Sequence, residues 1–144
     1  MTPISRNFTL EEMTASRTAK EKGIRNNPGQ TDIVNLCGLV HNVLQPLRKW
    51  WGREVKIGSG FRSLALNNAV DGVRNSQHMR GEAADLCIDG DMAKAKKWFA
   101  YIRDHLPFDQ LIMEHNAKGS YWVHVSYRAD GKNRHQVIDN LLKK

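Results

Sequence analysis

Apolar residues recur along the first half of the chain with the period of an α-helix. One run places its apolar side chains mostly three or four residues apart, and it consists of Ile33, Leu36, Val40, Val43, Leu44 and Leu47. This spacing predicts a helix over residues 31–51 that buries one face. Thr31 or Asp32 can cap its start, and Gly52 ends it.

Two further helices are predicted from their capping residues. Thr9 and Glu12 have the three-residue spacing of a capping box, which predicts a helix over about residues 10–21. Asp91 can cap a long helix that covers residues 92–102. Both helices carry apolar residues that would pack against a core.

The second half of the chain contains the strands. Alternating or wholly apolar segments predict strands over residues 54–58, 82–88, 108–114 and 121–127. The loop at 116–120 joins the last two into a hairpin, a short helix is expected at 64–69 and a loop at 72–81. A further short strand or helix is expected at 137–142. These elements predict an α+β fold, in which helices flank a mainly antiparallel sheet and residues 1–144 form a single domain.

Composition excludes several classes of protein. Of the 144 residues, 40% are hydrophobic and 26% are charged, which is typical of a folded chain. No apolar run approaches the roughly 20 residues that span a bilayer, so we expect no stable membrane insertion. The first residues lack the apolar core of a secretory signal. We therefore expect synthesis in the bacterial cytoplasm without a signal peptide.

The net charge of +7 indicates an anionic partner such as nucleic acid, a membrane surface or a cell-wall polymer. The basic residues are dispersed, however, as they are on an ordinary solvated face. The chain has no helix-turn-helix pattern, no zinc-finger spacing and no aromatic RNA-binding block. We therefore expect that it does not bind nucleic acid.

Three residues are candidates for a metal site. Asp85 lies in a predicted buried strand, where a carboxylate is costly unless it is paired or bound to a metal. His78 precedes it by seven residues, with Gly81 between them at a predicted turn. His124 lies in a predicted strand and shares its face with Trp122. Two imidazoles, one carboxylate and an open fourth position make a catalytic zinc site; the alternative is an ion-paired aspartate and two unrelated histidines.

The chain resembles a known enzyme family in three ordered blocks. These are Ser59-Gly-Phe-Arg-Ser63, then Ser76-x-His-x-x-Gly-x-Ala-x-Asp85, and then Trp122-x-His124. The blocks resemble the zinc D-alanyl-D-alanine carboxypeptidase family, which includes phage endolysins that cut the peptides of bacterial peptidoglycan. The segments 108–114 and 122–126 resemble its short single-domain branch. The resemblance covers roughly residues 8–128.

This resemblance implies a metal site and a substrate site on the sheet. It implies that His78, Asp85 and His124 bind Zn²⁺, which lowers the pKa of a bound water to near 7 and polarises the scissile carbonyl. It also implies that Arg62 points into the cleft, where it binds substrate or stabilises the oxyanion. Ser76 resembles a serine that hydrogen-bonds the substrate, although it could instead cap a turn. Trp122 would form a wall of the site or fill the core.

The general acid/base has to be found from the residues themselves. Many relatives place it three residues before the last histidine, where this chain has Tyr121. If Glu114 faces Trp122 across the hairpin, it lies diagonal to His124 and within reach of the site. We therefore predict that Glu114 is the general acid/base. Asp109 is the weaker candidate because its position in the alternation aims it at the other face.

The resemblance implies that the protein is a zinc-dependent peptidoglycan peptidase. It would hydrolyse amide bonds in peptide stems through a zinc-activated water, as a D,D-carboxypeptidase or an L,D/D,D-type endopeptidase. A phage or prophage lysin that is monomeric and acts on the cell wall fits this prediction. The alternative is a catalytically inactive zinc-binding module of the same fold, since the usual carboxylate is missing at Tyr121.

Overall fold

The computed structural model describes residues 2–140 and shows an α+β fold. The α-helices are α1 (Leu10–Thr14), α2 (Arg17–Lys22), α3 (Gln30–Leu39), α4 (Gln45–Trp51), α5 (Leu64–Ala69) and α6 (Met92–His105). The strands are β1 (Pro3–Ser5), β2 (Phe8–Thr9), β3 (Lys56–Ser59), β4 (Ala83–Cys87), β5 (Gln110–His115), β6 (Tyr121–Ser126) and β7 (Gln136–Asp139). A 3-10 helix covers Gln77–Arg80. No helix within residues 2–140 is long and apolar enough to cross a membrane.

The main sheet has five strands in the order β3-β4-β6-β5-β7. All neighbours are antiparallel except β5 and β7, which are parallel. The mainly antiparallel sheet flanked by helices is therefore confirmed. The tail segment predicted at 137–142 forms the edge strand β7, and the part of that prediction beyond residue 140 lies outside the described residues.

The two faces of the sheet differ in chemistry. On one face, Leu86, Leu111, Met113, Val123 and Val125 are almost fully buried and join the hydrophobic core beneath α3, α4 and α6. The opposite face carries Asp85, Glu114, Trp122 and His124, which alternate with those core residues along their strands. The core thus holds the strands that present the polar face.

The helix predicted over 10–21 is wrong, because the chain forms two short helices there. Thr9 caps α1 by accepting a hydrogen bond from the Glu12 backbone N–H, as the capping box predicts. Ala15 and Ser16 are extended, and the Ser16 hydroxyl caps α2 through the Ala19 N–H. A second strong cap inside the segment therefore begins a new helix.

The helix predicted over 31–51 exists, but its start and its middle differ from the prediction. Gly29, rather than Thr31 or Asp32, is the capping residue, and its N–H donates to the Asp32 carboxylate. Between α3 and α4, residues 40–44 form a π-helical turn. Pro46 follows this turn and has no N–H to donate to the carbonyl four residues earlier, which explains the wider turn.

Candidate metal centre

Adjacent strands bring Asp85 and His124 side by side. Asp85 on β4 is directly opposite His124 on β6, and the His124 Nδ1 lies 2.9 Å from the Asp85 Oδ1. The two residues are far apart in sequence, so the antiparallel pairing of β4 with β6 creates the contact. Trp122 lies two residues before His124 on the same face, as the alternation predicts.

His78 is delivered by the 3-10 helix that precedes β4. The Ser76 hydroxyl caps this helix by accepting from the His78 N–H at 3.1 Å. Gly81 ends it with φ +73°, where an added Cβ would collide with the carbonyl of Asp32. Only glycine fits such a left-handed turn without strain. The glycine between His78 and Asp85 therefore turns the chain from the helix into the strand.

Hydrogen bonding fixes which nitrogen of His78 faces the site. The Nδ1 donates to the Gly60 carbonyl oxygen at 2.7 Å, because a carbonyl can only accept. The Nε2 therefore faces the site and lies 3.3 Å from the Asp85 Oδ1. Gly60 is itself held close to α1, since a Cβ there would collide with the Met13 carbonyl. The imidazole is 4% exposed, so it has little freedom to turn.

The three side chains fit a zinc ion. One nitrogen of each histidine and a carboxylate oxygen of Asp85 all lie within 4.8 Å of one another. Ligands around a tetrahedral zinc, at bond lengths of about 2.0–2.1 Å, are about 3.3 Å apart. The 3.3 Å between His78 and Asp85 matches this spacing, and the 2.9 Å between His124 and Asp85 is slightly shorter. Two imidazoles with one carboxylate are also donors that zinc prefers.

The electrostatics of the site favour an ionised Asp85. Its burial, with 14% of the side chain exposed, opposes ionisation, but His78 and His124 outweigh this and hold the pKa of Asp85 well below its usual value. Asp85 therefore remains a carboxylate at neutral pH, as metal binding requires.

Arg62 contacts the other oxygen of the same carboxylate. Its Nη2 lies 3.3 Å from the Asp85 Oδ2, while its Nε donates to Ser59 and its Nη1 to Asn67. The Arg62 side chain is 15% exposed and lines the cavity that contains His78 and His124. Sequence analysis places Arg62 in the cleft, but it does not find Ser59 and Asn67, which orient the guanidinium. Ser59 stands in the same sequence block as Arg62; no comparable pattern marks Asn67.

Glu114 lies in the same cavity, across the hairpin from Trp122. The register pairs Glu114 with Trp122 and Ile112 with His124, which confirms the pairing predicted from sequence. A diagonal neighbour on one face of a sheet is about 7–8 Å away. The cavity of about 250 Å³ is lined by Glu114, Trp122 and all three candidate ligands.

Ser76 and Trp122 also line this cavity. Ser76 is 5% exposed and acts as the cap described above, so its structural role is established by the geometry. The Nε1 of Trp122 is buried and has no hydrogen-bond partner within the described chain. A buried donor of this kind costs free energy unless something accepts from it.

Asp109 does not enter this cavity. It is 1% exposed and accepts hydrogen bonds from the Arg134 backbone N–H, from the Arg134 guanidinium and from Gln77. Burial opposes ionisation of Asp109, but these donors lower the pKa of the carboxyl below its usual value. The pairing with Arg134 joins two distant segments and has no signature in the sequence.

The fold and the site together define the class of protein. It is an α+β protein with a histidine–aspartate–histidine group beside its sheet that could hold a metal ion. The model of the Peptidase M15 family matches residues 6–126, which is most of the chain, and the protein therefore belongs to this peptidase family. Members of the family are zinc-dependent in general. A comparison with curated proteins returned no match.

Proposed function

We propose that the protein is a zinc metallopeptidase that hydrolyses amide bonds in the peptide stems of bacterial peptidoglycan, acting as a phage or prophage lysin. The observation that carries this proposal is the shared cavity, in which the three candidate metal ligands lie together with Glu114 and Arg62. The family supplies the peptidase class. A net charge of +7 favours contact with an anionic cell wall.

His78, Asp85 and His124 would hold the metal in this proposal. Zinc bound there would supply a water of lowered pKa and polarise the carbonyl of the scissile bond. The protein keeps the ligands in place through the Gly60 carbonyl on His78 and through Arg62 on Asp85. Such outer contacts orient ligands and are worth about 10–100-fold in metal affinity or activity.

Glu114 serves as the general acid/base. Its place on the polar face, diagonal to His124, lets the carboxylate accept the proton of the attacking water and deliver it to the leaving amine. This compensates for Tyr121, which occupies the position where many relatives have the acid. Tyr121 packs instead beside the His115 ring.

Arg62, Trp122 and Ser76 act on the substrate. Each terminal nitrogen of Arg62 carries two N–H groups, and the structure uses one on Asn67 and one on Asp85. The remaining N–H groups can donate to the oxyanion of the tetrahedral intermediate. The half-buried ring of Trp122 forms part of the cavity wall and can pack against the peptide. Ser76 borders the same cavity and can hydrogen-bond the peptide while it caps the 3-10 helix.

Zinc content and hydrolysis of purified peptidoglycan test the proposal. The wild type should hold about one zinc per chain and release new amino ends, whose fragment masses identify the bond. His78→Ala should lose zinc and activity, whereas Glu114→Gln should keep zinc and lose activity. Glu21→Gln is the matched control, because this exposed glutamate is paired with Arg17 and does not line the cavity.

The outcomes distinguish an active zinc peptidase from an inactive zinc-binding module of the same fold. Zinc binding without any change in the muropeptides would favour the inactive zinc-binding module, and Glu114→Gln would then have no effect. Absence of zinc in the wild type, with no change in His78→Ala, would refute the ligand set.

A further inference from the structure

The central cavity opens into a second, more polar pocket. This pocket of about 520 Å³ shares Val73, Ser76 and His124 with the cavity that contains the candidate ligands. On the other side, Asp85 and Trp122 connect the central cavity to a mainly apolar pocket of about 670 Å³. A groove therefore extends to both sides of the candidate metal centre, and its two arms differ in polarity.

The polar pocket is lined by three arginines from two segments. Arg80 comes from the 3-10 helix, while Arg128 and Arg134 come from the loop after β6. Two carboxylates also line it, Glu82 and Asp109.

Two of the arginines are more exposed than the two acids that line this pocket. The side chains of Arg80 and Arg134 are 50% and 54% exposed, whereas those of Glu82 and Asp109 are 13% and 1% exposed. The acids therefore lie behind the guanidinium groups. Each of the three arginines is paired with one acid, and Asp130 beside Arg128 is itself 46% exposed. The pocket therefore offers a ligand guanidinium N–H donors rather than a net positive charge.

The guanidinium groups retain N–H donors for a ligand. Arg80 uses only its Nε, on Glu82, and Arg128 uses only its Nη2, on Asp130. Arg134 uses its Nε and Nη2 on Asp109. Within residues 2–140 the other guanidinium nitrogens of these three arginines make no hydrogen bond. Guanidinium groups bind carboxylates through two parallel hydrogen bonds, which makes a carboxylate the best-matched ligand.

We propose that this pocket, defined by Arg80, Arg128 and Arg134, is a subsite that binds a carboxylate of the peptide substrate next to the scissile bond. The inference rests on the proposed peptidase function. A stem peptide offers two such groups, the α-carboxylate of a γ-linked D-glutamate and the terminal carboxylate. The apolar arm beside Trp122 then receives the uncharged part of the peptide, so the two arms set its direction.

Binding of defined peptides tests the subsite without hydrolysis. The zinc-loaded Glu114→Gln protein is titrated with L-Ala-γ-D-Glu-L-Lys-D-Ala in three forms: unmodified, amidated at the D-glutamate α-carboxylate, or amidated at the C-terminus. One of the two amidations should weaken binding about tenfold, as expected for a lost charge-assisted contact. The amidation that does so identifies the carboxylate.

Arginine variants show where the carboxylate binds. Arg80→Gln combined with Arg128→Gln should weaken binding of the unmodified peptide about tenfold and remove the difference between the forms. Arg134 is left intact because it holds Asp109. Arg103→Gln is the matched control, since Arg103 is also exposed and paired with a neighbouring acid, Asp104, but lies outside the pocket. It should change nothing.

Failure of the subsite is distinct from failure of the proposed function. Equal binding of all three forms, a difference that persists in the double variant, or no binding of any form at millimolar peptide would overturn the subsite. Hydrolysis by the protein with Glu114 intact decides the peptidase function separately. A carboxylate preference that needs the arginines would support the subsite even if the fragment pattern were not the expected one.

Discussion

Asp85 on β4 and Asp109 just before β5 are both mostly enclosed, at 14% and 1% exposure, but they differ in their partners. Asp85 faces two imidazoles as well as Arg62, whereas Asp109 faces the guanidinium and backbone N–H of Arg134 and the amide of Gln77. An imidazole nitrogen can exchange its proton for a metal ion, but the NH₂ group of an amide and a guanidinium can only donate. The chemistry of the partners, rather than the burial of the carboxylate, therefore distinguishes a metal site from a structural one.

The two aspartates also hold the same short helix. Gln77 donates to the Asp109 carboxylate at 3.0 Å, and the next residue, His78, lies against Asp85. The 3-10 helix is thus fixed on one side by a structural carboxylate and on the other by the candidate metal site. Substitution of each aspartate by asparagine distinguishes a role in metal binding from a structural role.

Asp85→Asn should have the largest effect on metal binding. The amide removes an anionic ligand. Zinc affinity should therefore fall by more than about 100-fold, which is more than the loss caused by removing a residue that only orients a ligand. Peptidoglycan hydrolysis should be lost as well. Competition with a chromophoric zinc chelator measures the affinity. Asp109→Asn is the matched control and should keep its zinc; equal losses in both variants would contradict the distinction.

Gly81→Ala should lower the free energy of unfolding by about 3 kcal/mol, because Gly81 forms the turn between His78 and Asp85. The left-handed backbone costs about 1–2 kcal/mol for alanine, and the collision with the Asp32 carbonyl adds to this. Gly119→Ala is the matched control, with a similar φ of +85° but open space around its Cβ, so it should cost about 1 kcal/mol. Urea unfolding measures both values. Equal losses would show that the close approach to Asp32 has no cost.

Asp109→Asn should lower the free energy of unfolding by about 2 kcal/mol at pH 7, because it weakens charged hydrogen bonds to Arg134. The pKa of Asp109 is lower in the folded state than in the unfolded chain. The stabilisation is therefore complete above the unfolded pKa of about 4 and is lost as pH falls towards the folded pKa.

Urea unfolding of wild type and Asp109→Asn between pH 7 and pH 3 checks this dependence. The difference between the two proteins should shrink at the acidic end of that range. A difference that stays constant with pH would mean that the charge of Asp109 contributes nothing.

Ser76→Ala should have the smallest effect, about 1 kcal/mol, if the hydroxyl only caps the 3-10 helix. A role in substrate binding would add a higher KM at unchanged kcat, whereas a cap alone would leave KM unchanged in the fraction that remains folded. Thermal unfolding and steady-state hydrolysis of a stem peptide separate the two roles. Ser76→Thr should restore the cap.

Local patterns predict most of the sheet. The alternation in 108–114 and 121–127 and the short loop between them are enough to place Glu114 opposite Trp122, because a one-residue slip would turn every core residue outwards. The caps at Thr9 and Asp91 were also predictable, because a cap is a local pattern that involves residues only three apart.

Contacts between distant segments could not be predicted. Nothing near Arg134 in the sequence indicates that it reaches Asp109, and the parallel pairing of β7 with β5 has no turn that would specify it. The break in the predicted 10–21 helix comes from the Ser16 cap, which the capping box at Thr9 and Glu12 does not reveal. The ligand trio was suggested by spacing, but the Gly60 carbonyl that orients His78 belongs to the backbone and leaves little trace in side-chain patterns.

The position of β7 bears on how the protein can be shortened. The family match ends at residue 126, whereas β7 covers Gln136–Asp139 and pairs with β5 at the edge of the sheet. A fragment cut to the matched region would expose the backbone of β5 as a new edge, and exposed edges pair with other chains. Such a fragment would also lack Arg134. It should self-associate, so a useful minimal version of this enzyme has to retain its last strand.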